Sequence, residues 1–179
     1  MKKTDATHPP YANPTTANVG TFIHPTAIIG ENVTIGKNVY IGPLCVIGYP
    51  AEWRAYEHND MGVVIEDGAR LTGLVTVDSG VLRPTVIGKN SYLMKHSHVG
   101  HDAILEDQIT VSPGAKIGGH CIIGVMTNIG LNACIHQKVN IPYGCMIGMG
   151  AVITKRTELK PQTKYVGVPA KPIGGNDGL

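Results

Sequence analysis

The sequence predicts an all-β chain wound into a parallel β-helix, and two regularities support that fold class. An apolar residue recurs at every sixth position without exception from Ile87 to Ile153, and earlier from Ile23 to Ile47. The residue that follows is often glycine, and the fourth residue after it is usually small or β-branched, as at Cys121. A period of six fits neither an α-helix nor a half-buried strand, whose periods are 3.6 and 2. It is typical of a coil in which each repeat forms one short flat side.

The phase of the repeat divides the chain in order. Residues 1–20 lack the repeat and are rich in Thr, Asn and Pro, so we expect an extended or disordered arm. Residues 21–155 are expected to form the β-helix. Residues 156–179, which are rich in proline, are expected to form a C-terminal tail.

Two segments interrupt the predicted β-helix. Residues 49–62 contain the sole Trp, and the phase survives from Ile47 to Ile65 as though this loop stood in for a coil. Residues 79–85 break the phase. Loops that interrupt a solenoid often form its binding surface, so we expect both to grip a substrate. The alternative for the first loop is that it packs on a neighbouring subunit.

The composition agrees with a narrow coil and argues against several other classes. The 23 glycines suit a turn in every repeat, and a single Phe and a single Trp suit a core too narrow for rings. Lys and Arg number 15 against 13 Asp and Glu, a balance that gives no sign of a nucleic-acid partner. No apolar run reaches membrane-spanning length, and residues 1–20 lack a signal-peptide core. We therefore expect a cytoplasmic protein with no membrane span.

The cysteines carry no sign of a metal or a disulfide. Their spacing contains no Cys-x-x-Cys pair and no pattern of metal ligands. Cys45, Cys121 and Cys145 hold the small inner position of their repeats, and Cys134 directly precedes an apolar position. We expect reduced, buried thiols that act as small hydrophobic residues.

Histidines crowd into one part of the repeat. Four of the eight lie between Lys95 and His120, and His136 lies further on. Three repeats make a coil of eighteen residues, so residues i and i+18 stack about 4.8 Å apart along the axis. This places polar groups and glycines together at one corner of the coil. The predicted columns are His101, Gly119 and Gln137; Asp102, His120 and Lys138; and Gly100, Gly118 and His136.

These columns predict a site for acyl transfer. A histidine that titrates near neutral pH can take a proton from an attacking hydroxyl or amine. The peptide N–H of Gly119, one coil away from His101, has no side chain in front of it and can hold a developing oxyanion. Clustered titratable groups favour a functional site over a set of solvated surface histidines.

At these residues the chain resembles the hexapeptide acyltransferases, most of all the UDP-N-acetylglucosamine O-acyltransferases of lipid A synthesis. The resemblance spans residues 21–154 in register. The segments that carry it are residues 23–28 (IHPTAI), residues 42–48 (GPLCVIG), residues 93–102 (LMKHSHVGHD), Gly119-His120 and Ile135-His136-Gln137.

The resemblance implies a left-handed β-helix, a homotrimer and a set of roles. His101 is the implied base, and the catalytic set is His101, Asp102 and Gly119, whose amide faces the acyl carbonyl. The first loop of that family has an acidic residue followed by a basic one, which Glu52 and Arg54 match. The implied substrate-binding residues, in the cleft between subunits, are His98, His120, His136, Gln137, Glu52 and Arg54.

The end of the chain resembles a different group. The O-acyltransferases continue into a helical domain that binds carrier protein and nucleotide, whereas residues 147–155 and 167–171 resemble the coenzyme A-binding end of sugar acetyltransferases. The NeuD/PglD type of sugar N-acetyltransferase shares this ending and a Ser-Pro-Gly segment like residues 112–114. The implied coenzyme A-binding residues are Gly130, Gly148, Ala151, Lys155, Pro169 and Lys171.

We therefore expect an acyltransferase that moves an acetyl or longer acyl group from a thioester to a hydroxyl or amine of a sugar or nucleotide-sugar, in lipid A or surface polysaccharide biosynthesis. Acetyl-CoA is the expected co-substrate, with no tightly bound cofactor and no metal. The main alternative is an O-acyltransferase of UDP-N-acetylglucosamine that depends on acyl carrier protein. A zinc enzyme resembling the γ-carbonic anhydrases and a β-helix scaffold without activity are further alternatives.

Overall fold

A computed structural model describes residues 19–53 and 60–176. Of the predicted N-terminal arm, residues 1–18 lie outside the described residues, as does Arg54 of the predicted site. Within the described ranges the chain is all β, with short strands joined by tight turns. The strands of the first half are β1 (Phe22–Ile23), β2 (Ile28–Ile29), β3 (Val33–Ile35), β4 (Tyr40–Ile41), β5 (Val46–Tyr49), β6 (Val63–Ile65), β7 (Arg70–Leu71), β8 (Thr76–Asp78), β9 (Thr85–Ile87), β10 (Tyr92–Leu93) and β11 (His98–Val99).

The second half continues the same pattern, and its last two strands lie in the segment expected to be a tail. The strands are β12 (Ile104–Leu105), β13 (Thr110–Val111), β14 (Lys116–Ile117), β15 (Ile122–Ile123), β16 (Asn128–Ile129), β17 (Cys134–Ile135), β18 (Asn140–Ile141), β19 (Met146–Ile147), β20 (Val152–Ile153), β21 (Thr163–Val166) and β22 (Lys171–Gly175).

Every third strand joins the same sheet, so the described residues form three sheets that are the three sides of a coil. The sheets run β1-β4-β7-β10-β13-β16-β19-β21-β22, β2-β5-β8-β11-β14-β17-β20 and β3-β6-β9-β12-β15-β18. Neighbouring strands pair in parallel, except that β22 closes its sheet by pairing antiparallel with β21. In the regular part the register is eighteen residues, as in the pairs of Tyr92 with Thr110 and of His98 with Lys116.

The six-residue ladder forms the core. From Leu93 to Ile153 its members are buried, and the small residues predicted for the inner wall, such as Ala115 and Cys121, are buried with them. At the first coil, by contrast, Ile23 and Ile29 are only partly buried, because no earlier coil covers them. Burying apolar side chains at every sixth position gives each two-residue strand its stability, since so short a strand contributes few hydrogen bonds of its own.

The first loop is an insertion within one coil, so the expectation that it stands in for a coil is wrong. Val33 pairs with Val63 and Ile47 with Val77, in each case 30 residues apart. A regular coil takes 18, so the loop adds 30 − 18 = 12 residues between two sides of one coil. The second break is smaller, because Val77 pairs with Val99 at a distance of 22 residues, four more than a regular coil.

Three of the four thiols lie where the repeat predicts, and one does not. Cys45, Cys121 and Cys145 are buried, whereas Cys134 is exposed because it holds the outward-facing position of β17. All four are free. Between residues 19–53 and 60–176 there is no helical stretch with the length and apolar character that crossing a bilayer requires.

Candidate active site

His101 and Asp102 form a hydrogen-bonded pair at the corner between β11 and β12. The Nδ1 atom of His101 lies 2.7 Å from Oδ2 of Asp102. Asp102 is fully buried, and it turns the corner with a φ of +60°. A carboxylate accepts hydrogen bonds, so this contact places the imidazole proton on Nδ1 and leaves Nε2 with a free lone pair. His101 is thereby oriented as a base.

The second break in the repeat holds the Asp102 carboxylate in place. Oδ1 of Asp102 accepts the N–H groups of Leu82 and Arg83 at 2.7 and 2.8 Å, and the N–H of Val81 lies at 3.2 Å. Burial raises the pKa of Asp102, but the hydrogen bonds from His101 and these amides outweigh it and lower the pKa overall. The carboxylate is therefore ionised at neutral pH, and the loop at residues 79–85 supports the base.

The reactive nitrogen of His101 lies against Gly119, as the column of stacked residues predicts. A Cβ atom added to Gly119 would lie 2.8 Å from Nε2 of His101, which is closer than real Cβ contacts. His120 N–H donates to the carbonyl of His101, and Lys138 N–H donates to that of Gly119. Among the described residues, none accepts a hydrogen bond from the Gly119 N–H. A base and an uncommitted amide donor thus lie side by side.

Two aromatic rings complete the surroundings of His101. His120 meets it edge to face, with ring centroids 4.8 Å apart. The indole of Trp53, from the first loop, is parallel to the imidazole within 2°, with centroids 5.7 Å apart. Nδ1 of His120 is 3.8 Å from Oδ2 of Asp102. Burial lowers the pKa of His120, with Asp102 opposing that shift and the nearby cations of His101, Lys138 and Arg83 adding to it.

A groove of about 450 Å³ opens beside the base. His98 lies in it, with Nδ1 2.8 Å from Oγ1 of Thr76 and Nε2 3.8 Å from Oδ2 of Asp78. Burial and then Lys116 lower the pKa of His98, so the ring is neutral at physiological pH. The residues that line the groove are Val46, Tyr49, Pro50, Glu52, Thr76, Asp78, His98 and Lys116.

Asp78 is a site residue that the sequence analysis missed. Burial first, and then the negative charge of Glu52, raise its pKa to about 6, while His101 opposes that shift. The four extra residues of the second break hide its place, because its coil neighbour lies 22 residues away. A signal was present, since Asp78 follows Val77 at a position where most repeats have glycine.

The remaining predicted substrate residues lie further from the base. His136 and Gln137 are exposed, and Nδ1 of His136 lies 2.9 Å from the carbonyl of Gln137. Gln137 is two coils from His101, or roughly 10 Å at the strand spacing of a sheet. The structure therefore brings His98, His120 and Glu52 to the region of His101, while His136 and Gln137 continue the same corner along the axis.

The predicted coenzyme A residues divide into two groups. Gly130 and Gly148 pack against neighbouring backbone, and Ala151 is buried in the core, so these three keep the last coils closely stacked. Lys155 is exposed. Pro169 and Lys171 line a cavity of about 390 Å³ at the end of the coil. Its other lining residues are Thr154, Arg156, Thr157, Glu158, Lys160, Tyr165, Ala170 and Pro172.

The described residues contain one group with the composition of a metal site. Potential ligand atoms of His101, Asp102 and His120 lie within 4.8 Å of one another. The Asp102 oxygens are, however, already engaged by His101 and by the amides of the second break. A metal would have to displace those contacts, so the geometry suits a base and its orienting carboxylate better.

Known proteins share the repeat and the fold. Residues 20–49 match the family model for the bacterial transferase hexapeptide (six repeats). The chain is 27% identical over 150 residues to an acyl-[acyl-carrier-protein]–UDP-N-acetylglucosamine O-acyltransferase of Campylobacter concisus, covering 75% of this chain and 57% of that protein. It is 29% identical over 141 residues to the protein of the same name from Gloeothece citriformis, covering 78% and 50%. The chain thus spans about half the length of these curated relatives.

Solved structures show the same architecture. The UDP-N-acetylglucosamine acyltransferase from Campylobacter jejuni superposes with a TM-score of 0.76 at 24% identity, covering 86% of this chain and 75% of that one. A perosamine N-acetyltransferase from Caulobacter crescentus, in complex with CoA and GDP-perosamine, gives 0.59 at 19% identity, covering 88% and 58%. The predicted fold class, a left-handed parallel β-helix, is confirmed, as is the predicted resemblance to hexapeptide acyltransferases.

Proposed function

We propose that this chain, a β-helix similar to the hexapeptide acyltransferases, transfers an acyl group from a thioester to a hydroxyl or amine of a sugar or nucleotide-sugar. The observation that carries the proposal is the place of His101: Nδ1 bonds to a buried carboxylate while Nε2 lies against the free amide of Gly119. The names of the relatives agree, because each transfers an acyl group to a sugar derivative.

The chemistry follows from these positions. Nε2 of His101 takes the proton of the acceptor hydroxyl or amine as its oxygen or nitrogen attacks the thioester carbonyl. The carbonyl oxygen becomes negative, and the Gly119 N–H donates to it. The tetrahedral intermediate then collapses, the carbon–sulfur bond breaks, and the thiolate takes the proton from the His101 imidazolium. Asp102 orients the ring and stabilises its positive charge throughout.

We assign the acceptor to the groove beside His101. Asp78, Glu52 and His98 present acceptors and donors for sugar hydroxyls or an amine within that groove. In a trimer, which we propose from the resemblance, His120, His136 and Gln137 would line the cleft between two subunits. Light scattering coupled to size-exclusion chromatography tests the trimer: a monomer at working concentration would remove this part of the proposal.

We propose acetyl-CoA as the donor, bound at the end of the coil. Thr154 follows β20, three coils along the column that contains Gly100, Gly118 and His136. At a strand spacing of about 4.8 Å, the cavity at Thr154 lies roughly 14 Å along the axis from the level of His101. An extended arm such as pantetheine can bridge that distance, and Lys160, Lys171 and Arg156 offer positive charge to phosphates at the cavity.

The curated relatives favour a second donor, because their names specify an acyl carrier protein. The experiment that separates the donors measures thioester consumption and binding enthalpy with acetyl-CoA and with an acyl-charged carrier protein. Consumption of acetyl-CoA in the presence of a nucleotide-sugar, lost in a His101→Ala variant, supports the proposal. Turnover with the carrier protein alone would favour the alternative donor, and unchanged turnover in His101→Ala would show that the assigned base is wrong.

The zinc enzyme and the inactive scaffold are tested with the same preparation. Metal analysis of the purified protein is expected to show no stoichiometric zinc. Stoichiometric zinc together with hydration of carbon dioxide would favour the zinc enzyme. An inactive scaffold would consume no thioester with any acceptor. The cytoplasmic location remains a prediction from the sequence.

A further inference from the structure

Trp53 stacks on the histidine to which the proposed function assigns the role of base. It is the sole Trp of the chain and belongs to the first loop, where its N–H donates to the carbonyl of Ala51. The indole and the His101 imidazole are parallel within 2°, and their centroids are 5.7 Å apart. Trp53 is 41% exposed, so an apolar ring faces water on one side and the imidazole on the other.

The stack uses a face of the imidazole that the other contacts leave open. Asp102 lies in the ring plane at Nδ1, Gly119 lies beside Nε2, and His120 meets the ring at 82°. Each of these three contacts has a role in orienting the ring or in the proposed reaction. Trp53 donates no proton and accepts none from the ring, so its effect must come through packing and through the charge distribution of the indole.

An indole face favours a cation over a neutral ring. The negative face of the π-system attracts a positive charge placed within about 6 Å of its centroid, and Trp does so best among the aromatic residues. The 5.7 Å separation meets that condition. In the proposed reaction the imidazole is neutral at the start and positively charged once it has taken the proton. A stack that prefers the charged ring therefore stabilises a state formed during the reaction more than its ground state.

We propose that Trp53 is a positioning residue that stacks on His101, covers that face from water and stabilises the imidazolium formed during acyl transfer. The role rests on the proposed function, whereas the stack can be tested without any substrate. Other charged groups also act on the ring and must be separated from the indole. They are Asp102 and His120 in contact, Asp78 and His98 across the groove, and Arg83 and Lys138 beyond His120.

The stack is tested by the fluorescence of the unmodified chain, because all indole emission comes from residue 53. A protonated imidazole against an indole quenches its emission. Acidification from pH 8 to pH 5, across the range where an imidazole ordinarily protonates, is expected to lower the emission. The His101→Asn variant should lose this response, while His120→Asn and His98→Asn should keep it. A response that persists in His101→Asn, or that is absent from the unmodified chain, would overturn the stack.

The role is tested by steady-state kinetics of two variants. Trp53→Leu keeps an apolar cover without a π face and is expected to lower kcat about fivefold, the effect of a cation–π contact of about 1 kcal/mol. The KM for donor and acceptor should stay unchanged, and Trp53→Phe should recover most of the rate. A raised KM at unchanged kcat would show that Trp53 contacts substrate instead, and equal rates in all three proteins would show that the stack has no part in turnover.

The outcomes also separate this inference from the proposed function. A fluorescence response that depends on His101, in a protein that transfers no acyl group to any sugar acceptor, would overturn the proposed function and the role of Trp53 together while leaving the stack in place. Acyl transfer that depends on His101, without the fluorescence response, would overturn the stack alone.

Discussion

Gly119→Ala tests whether the base and the oxyanion donor share one small space. The added methyl carbon would lie 2.8 Å from Nε2 of His101 and 3.1 Å from Cδ2 and Cε1. Ordinary contacts begin near 3.4 Å, so the ring must retreat by 3.4 − 2.8 = 0.6 Å or more. It cannot do so freely, because Nδ1 is held at 2.7 Å by a buried carboxylate.

The size of the effect follows from that bond. A hydrogen bond to a charged group contributes about 1.5–3 kcal/mol, so weakening it should lower the free energy of unfolding by about 1–3 kcal/mol. Misplacing a catalytic group by about 1 Å costs roughly a hundredfold in rate, and we expect a loss of that order in kcat. The backbone itself accepts alanine, since Gly119 is absent from the glycines with positive φ.

A double-mutant cycle isolates the contact. Chemical denaturation at fixed protein concentration compares Gly119→Ala in the unmodified chain and in a His101→Ala background, where the methyl group meets no ring. In that background the substitution should be neutral, or stabilising by about 0.5 kcal/mol through loss of unfolded-chain entropy. Gln137→Ala, an exposed change in the same column, serves as the control and should alter neither stability nor rate.

The result that would refute this reasoning is an equal cost of Gly119→Ala in both backgrounds. Such a result would mean that the methyl group disturbs the coil rather than His101. Full activity in Gly119→Ala would refute the assignment more broadly, because the base and the amide would then not act in the same space.

Three further predictions concern charged residues. Asp78→Asn should raise the free energy of unfolding at pH 7 by roughly 1–3 kcal/mol, because burial and Glu52 disfavour the ionised carboxyl. Its folded pKa of about 6 exceeds the unfolded value of about 3.9, so the gain in pH-dependent denaturation should shrink as pH falls below 6 and vanish below 4. Asp102→Asn should cost about 3 kcal/mol at neutral pH and lower kcat at least a hundredfold, since the amide cannot replace every bond of the carboxylate. Its folded pKa is lowered, so this cost should disappear as pH falls from 4 through that folded value, and a constant cost down to pH 2 would contradict the assignment. Lys171→Glu should weaken acetyl-CoA binding in calorimetry about tenfold through loss of a phosphate contact, whereas Lys89→Glu, outside the cavity, should not.

The fold was predictable because the repeat is a direct physical record of the coil. A buried position at every sixth residue and a register of eighteen follow from three equal sides, and the same register predicts that His101 lies on Gly119. The insertion after Ile47 was harder to place, because twelve residues are two whole repeats and leave the phase unchanged. Phase alone therefore cannot separate a loop from a missing side.

The site was predictable where the register is regular and hidden where it is not. Asp102 follows from its neighbour His101, but its support by the N–H groups of Leu82 and Arg83 depends on the path of an irregular turn. Asp78 was missed for the same reason, since the four extra residues after it shift its column. The stack of Trp53 on His101 comes from a loop conformation that no periodicity encodes.

The most direct test of the central claim is the release of free thiol from acetyl-CoA in the presence of a panel of nucleotide-sugars and amino sugars. We predict release that depends on an acceptor, accompanied by an acylated sugar in the mass spectrum. Release should fall at least a hundredfold in His101→Asn at unchanged circular dichroism. Equal release from the unmodified chain and from His101→Asn would contradict the assignment of His101 as the base on which the account depends.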